Sequence, residues 1–348
     1  MSRPFATTKA PIDGSGSHAR TRAGASAHPR PAMRTACTLL VACAALLWHA
    51  PAPAQSAPGA TKLNGFVLDG ASIPVDQILP GGPPRDGIPA IDTPRFVAAD
   101  AAGLEADDRV LGLVRNGVAR AYPVRILNWH EVVNDRIGDE RIVITYCPLC
   151  GSGIAFGADV GGRTRSFGVS GLLFNSDVLL YDRETESLWS QLLGEAVTGP
   201  ARGTRLRAVT LDHTSWADWR ARHPETRVLS FETGYLRNYA RDPYAGYERD
   251  PRTFFPVAAS DPRYHAKAWV LGVEASGARK AYPFAELENA PQPLADRLGG
   301  REIEVIYDAE HRTARVRDAD GAPYPSVMTF WFAWVAFFPD TQVYRAPR

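Results

Sequence analysis

The chain has 348 residues, with 39 basic and 38 acidic side chains, 45% apolar residues and four cysteines. That length and apolar content suffice for a full core, in one large domain or two small ones. No basic run marks it as a partner for nucleic acid or an anionic membrane surface, so no nucleic-acid partner is expected.

Residues 1–32 are polar, basic and rich in Ala, Gly, Arg and Pro, with no helix or strand periodicity. They read as an extension upstream of a true start at Met33. Met33-Arg34 is a short positive start, Ala36 to Trp48 is apolar, and Ala52-Pro53-Ala54 is a small-x-small cleavage site before Gln55. Residues 33–54 therefore read as a secretory signal peptide. The apolar run falls short of the roughly 20 residues that span a bilayer. The expectation is an exported protein, periplasmic or secreted, with no stable membrane span in its mature part. A lipoprotein cysteine at Cys43 fits less well, because apolar Ala44 to Trp48 would then occupy the place of a polar tether; a twin-arginine signal is absent. Without residues 1–54 the chain carries 33 basic and 37 acidic residues. Cys37 and Cys43 leave with the signal, and only Cys147 and Cys150 remain. A disulfide-rich scaffold is excluded.

Residues 55–95, centred on Leu79-Pro80-Gly81-Gly82-Pro83-Pro84, read as an ordered arm, since so many prolines deny donors to a sheet. Residues 96–345 then read as one β-rich domain. Strands are expected at Arg109 to Val114, Ile142 to Tyr146, Ser166 to Val169, Val178 to Tyr181 and Arg227 to Phe231, all rich in branched and aromatic residues. Two helices are expected, Val124 to Asp135 and Trp216 to His223, the second capped by Thr214 or Ser215. The class is mainly β with some α (α+β).

An ordered series recurs along this domain. Val110-Leu111-Gly112-Leu113, Gly117 and Ala121-Tyr122-Pro123 return as Val270-Leu271-Gly272-Val273, Gly277 and Ala281-Tyr282-Pro283. Each series ends in a strand closing on tyrosine, Ile142 to Tyr146 and Ile303 to Tyr307. The expectation is two copies of a β-hairpin/helix/strand unit in one compact body: copy one over about 105–190, an intervening segment 191–262, and copy two over about 263–345. After the returning strand, copy one continues Cys147-Pro148-Leu149-Cys150-Gly151 and copy two Asp308-Ala309-Glu310-His311. A working site is therefore expected in copy one.

The CxxC knuckle has three readings. A thioredoxin-like pair opens a helix, but Gly151-Ser152-Gly153 leads here into strand-like Ile154-Ala155-Phe156. A knuckle between two strands suits a metal, with the remaining ligands drawn from His or carboxylates. The third reading is a structural disulfide. His130, 17 residues before Cys147, is the first candidate for a third ligand; a histidine that merely packs a turn is the alternative. His130-Glu131-Val132-Val133-Asn134 is not a zinc-protease helix, because the fifth residue is Asn. His213, His223, His265 and His311 sit at no telling spacing. A polar stretch offers a site wall facing the cysteines: Ser170, Asn175, Asp177, Asp182, Glu184, Trp189 and Gln191. The plain alternatives are a turn at Asn175-Ser176-Asp177 and a charged hairpin at Asp182 and Glu184. Met328 to Phe338 packs six aromatic rings into a core element.

These stretches resemble the bacterial and archaeal family called domain of unknown function 3179 (DUF3179). The resemblance is carried by Asp86-Gly87-Ile88-Pro89-Ala90-Ile91-Asp92, by Ala121 to Glu131, and by Thr145-Tyr146-Cys147-Pro148-Leu149-Cys150-Gly151. It continues through Gly168 to Asp177, Tyr181 to Gln191, and Phe330-Trp331-Phe332-Ala333-Trp334. It implies an exported protein and assigns no activity. Three functions stay open. The first is a transition-metal site, copper or zinc, on Cys147, Cys150 and His130. The second is a thiol-disulfide or metal-dependent oxidoreductase. The third is a non-catalytic interaction domain with a structural disulfide. The single methionine of the mature part, Met328, speaks against a methionine-rich copper carrier.

Overall fold

In the computed structural model, residues 60–347 are described. The expected upstream extension, the expected signal peptide and Cys37 and Cys43 lie outside them. The expected strands form, at Arg109–Arg115, Glu140–Cys147, Phe167–Phe174, Asp177–Asp182 and Arg227–Leu229. The second expected helix is Trp216–Arg222, and the Ser215 side chain caps it by accepting from the Asp218 N–H. Among the described residues no helix is long and apolar enough to cross a membrane.

The first expected helix stops early, at Val124–His130. Glu131 adopts a left-handed φ of 58° while its N–H still bonds the Leu127 carbonyl at 2.8 Å. The chain then leaves as the strand Val132–Ile137. Val132 and Val133 are stiff, β-branched residues that gain more from pairing with Thr145 and Ile144 than from another helical turn.

The mainly β class holds, but the expectation of two copies of one hairpin/helix/strand unit is overturned by the sheet layout. Five sheets of four or five strands make up the body, a five-fold β-propeller arrangement. In the first sheet Arg109–Arg115 and Val118–Pro123 pair from Val110↔Pro123 to Arg115↔Val118. In the fourth, Trp269–Ala275 and Ala278–Pro283 pair from Val270↔Pro283 to Ala275↔Ala278. Both hairpins turn on a positive-φ pair, Asn116-Gly117 and Ser276-Gly277, the two-residue turn that matches strand twist. So the recurring motif reports a local register. The returning strands Glu140–Cys147 and Arg301–Asp308 do not close a unit with their hairpins but enter the second and fifth sheets. The third sheet, running Glu195–Ala196, Leu188–Ser190, Asp177–Asp182, Phe167–Phe174, Ile78–Pro80, belongs to neither series.

Segments outside the two series complete these sheets. Ile78–Pro80, from the proline-rich arm, pairs on the edge against Leu172 to Phe174, where proline is tolerated. From residues 191–262, Ala208–Val209 joins the second sheet, and Asp212–Ser215 and Arg227–Leu229 join the first. Met328 to Phe338 forms the end of the strand Val327–Phe330 and the helix Trp331–Phe337, with Trp331 and Trp334 in the core.

Helix and sheet meet closely at Gly112. A Cβ there would lie 2.2 Å from the Trp219 ring, and the same geometry holds at Gly272 and Trp334, at 2.1 Å. Gly112→Ala is therefore expected to cost about 1–3 kcal/mol through overpacking, read as a lower denaturant midpoint. An unchanged midpoint would show that the indole moves aside freely.

Candidate functional site

Two strand ends and two tight turns build the site. Cys147 closes the strand Glu140–Cys147, and the knuckle folds back so that the Cys150 N–H bonds the Cys147 carbonyl at 3.2 Å. Gly151 turns the chain with a φ of 64°, and a Cβ there would come 2.7 Å from the Trp269 ring. The Cys150 carbonyl accepts from the Phe330 N–H and from Thr329 Oγ1, each at 2.8 Å. The knuckle is thus anchored to the fourth sheet, and the next strand, Ser152–Gly157, follows at once. This is a strand–turn–strand knuckle, not a thiol pair opening a helix.

Facing it is the turn Asn175-Ser176, both residues at positive φ, which joins Phe167–Phe174 to Asp177–Asp182. The Ser176 carbonyl accepts from Cys150 Sγ at 3.4 Å and from Cys147 Sγ at 3.7 Å. Asp177 comes next. Its carboxylate and the two Sγ atoms lie within 4.8 Å of one another, and all three residues are buried. Asp177 Oδ2 accepts from the Leu192 N–H at 3.1 Å, whereas Oδ1 is buried with no hydrogen-bond partner. Such an orphan costs about 1–3 kcal/mol, more for a charge, unless something else satisfies it.

Burial sets the protonation of this cluster. It pushes both thiols above the usual cysteine range, Cys150 well above it. It raises Asp177 to about 7. It raises Glu131 to about 8, with the Asp177 charge adding to the effect. At neutral pH the metal-free thiols therefore keep their protons, and Asp177 stands near its midpoint. A cation inverts that preference, because it stabilises the thiolates and carboxylate that burial disfavours.

His130 is not part of the cluster. Its Nδ1 bonds the Pro89 carbonyl and its Nε2 the Tyr239 hydroxyl, both at 2.7 Å, so neither nitrogen is free to ligate. Of the expected wall, Asp177 brings its carboxylate to the two sulfurs, and Trp189 shares their buried core. Ser170 bonds the Leu179 carbonyl and receives the Leu172 N–H at a strand irregularity. Asn175 ties the Ala336 carbonyl to the Ala258 N–H. Asp182 accepts from Thr185 and from Trp189 Nε1, and Arg165 approaches it at 3.5 Å. Glu184 accepts from Ser166, and Gln191 bridges Ser152 and Thr145. These are structural bonds within the third sheet and its neighbours.

Residues 85–341, well over half of the chain, match the family described as protein of unknown function (DUF3179). The chain belongs to this family. The DUF3179 match takes in Glu131, Cys147, Cys150 and Asp177 as well as the helix Trp331–Phe337 that backs the knuckle. No curated protein and no solved structure matches this DUF3179 member.

Sequence reasoning missed Glu131, buried and near enough to Asp177 for their charges to interact, and a second cluster, Asp218, Asp308 and His311. The available signal for Glu131 was its place in Trp129-His130-Glu131 just before a β-branched pair. In the second cluster Asp218 already accepts from Arg222 and Thr214, with Arg315 at 3.5 Å, and His311 Nδ1 bonds Ser215 Oγ at 2.9 Å. Two guanidinium groups already neutralise the Asp218 carboxylate. The cysteine cluster is the better metal site.

Proposed function

We propose that this DUF3179 protein is exported and holds one divalent transition metal, zinc, through Cys147, Cys150 and Asp177. The observation that carries the reading is Asp177 Oδ1, buried without a partner beside two thiols. Two thiolates alone suit copper(I), which favours soft ligands; a carboxylate in the set favours zinc(II). Met328, the one methionine of the mature part, is buried among apolar side chains of the fourth and fifth sheets and offers no thioether site. Three protein ligands leave one position of a tetrahedral zinc for water or another small donor. A thiol-disulfide enzyme needs an accessible thiolate of lowered proton affinity, and here both thiols are buried and shifted the opposite way.

The test is elemental analysis together with thiol titration on the purified full chain. About one equivalent of zinc, with both thiols reactive only after chelation or denaturation, is the expected result. A protein that carries no metal and takes up none after reduction would overturn the proposal, whether its cysteines are free or bridged.

A further inference from the structure

We infer that the protein carries a second binding site, for a small multivalent oxyanion, in a cleft of about 720 Å³ at the far end of the strands that bear the cysteine cluster. Arg120, Arg136, Arg141, Arg165 and Arg183 line this cleft against only three carboxylates, Asp92, Asp135 and Glu184, and no lysine takes part. The concentration runs against the body as a whole, since from residue 55 onward the chain has fewer basic than acidic side chains. The arginines come from separate stretches, which is why no basic run announces them in the sequence.

Existing ion pairs engage four of the five arginines, two of them through carboxylates outside the lining. Arg120 pairs with Asp135, and Arg183 with Asp92 at 2.8 Å. Arg165 reaches Asp182 only at 3.5 Å, and Arg136 turns to Asp139 outside the cleft lining. Arg141 makes no ion pair among the described residues. The Nε–H groups of Arg120 and Arg165 are buried without an acceptor. Planar guanidinium forks match phosphate, sulfate and carboxylate oxygens two at a time. The volume lies within the range of small-molecule sites, about 300–1,000 Å³.

Position separates this cleft from the metal cluster. Arg141 and Cys147 lie near opposite ends of one strand, and Asp177 opens another that ends one residue before Arg183. At about 3.3 Å per residue, six residues put the two sites about 20 Å apart.

Isothermal titration of the full chain with inorganic tripolyphosphate and, separately, with citrate tests this at about 50 mM and about 300 mM NaCl. At least one probe should bind at the lower salt and bind about tenfold more weakly at the higher. The double variant Arg136→Gln/Arg141→Gln alters two exposed side chains and should keep the melting temperature and metal content. It should weaken binding about tenfold or more, the worth of one or two charge-assisted hydrogen bonds. Tripolyphosphate alone would assign phosphate-type ligands, and citrate alone polycarboxylates. Failure of both probes to bind, or equal binding by the variant, would overturn the inference.

Discussion

Asp177→Asn is expected to lower metal affinity by at least about 100-fold, while His130→Gln leaves it within about threefold. The two substitutions separate a ligand from a neighbour. Asparagine preserves the shape of Asp177 and can still accept from the Leu192 N–H, the bond that now holds Oδ2. What it removes is one negative charge and the carboxylate oxygen Oδ1, which is buried beside the two thiols with no hydrogen-bond partner. His130 is engaged through both ring nitrogens, with Pro89 and Tyr239. Glutamine there should cost some stability but no metal. Competition with a chromogenic chelator reads both affinities on folded protein. Equal affinity for Asp177→Asn and wild type would remove the carboxylate from the ligand set and return the site to two sulfurs. A collapse of affinity in His130→Gln at an unchanged melting temperature would restore the histidine.

Much of the body was legible because its longer strands carry their own pattern. Ile142 to Tyr146 and Val178 to Tyr181 are branched or aromatic runs with turn residues beside them, and both lie in strands. The five-sheet layout was not legible, because strands of two or three residues such as Glu195–Ala196, Ala208–Val209 and Ile78–Pro80 are too short for any periodicity. They pair because longer strands present an open edge to them.

The site shows the same division. The knuckle could be read from Cys147 and Cys150, since spacing and following residues set its turn. The third ligand could not, because nearness along the chain is a poor guide once strands fold back. His130 lies 17 residues from Cys147, yet its ring is captured by Tyr239, from a segment 109 residues later. Asp177 lies 30 residues away and arrives beside the sulfurs because the Asn175-Ser176 turn reverses the chain there. In the sequence it stood among a dozen polar residues. Only its missing partner sets it apart.

Metal-free protein should lose stability as pH rises from about 6.5 to about 8, the reverse of the usual acid-side loss. Asp177 and Glu131 hold their protons in the folded state to about 7 and about 8, but in the unfolded chain release them near the ordinary carboxylate values of about 4. Between those limits the folded state binds more protons than the unfolded one, so raising the pH favours unfolding. The stability tied to the two protons is fully present below about pH 4 and is gone above about pH 8, a change on the order of 4 kcal/mol or more. The opposite contribution comes from carboxylates held below their ordinary range by partners, such as Asp218 with Arg222 and Asp296 with Lys280. Burial alone would raise both, and the ion pairs outweigh it. Their stabilisation is lost only as pH falls through the acid range, and His213, His130 and His223, which burial holds below the ordinary histidine range, add stability as pH rises to about 6.5, so the buried pair dominates above that point. Metal changes the sign, since zinc takes the place of the protons and binds more tightly as pH rises. Urea midpoints on chelated protein should therefore fall between about pH 6.5 and about pH 8, while zinc-loaded protein holds or gains. The double variant Asp177→Asn/Glu131→Gln, which cannot ionise at either position, should flatten the metal-free profile. A flat profile for the chelated wild type, or an equal slope in the variant, would show that these carboxyl groups are solvated or paired in solution and that the cluster is not poised to exchange protons for a cation.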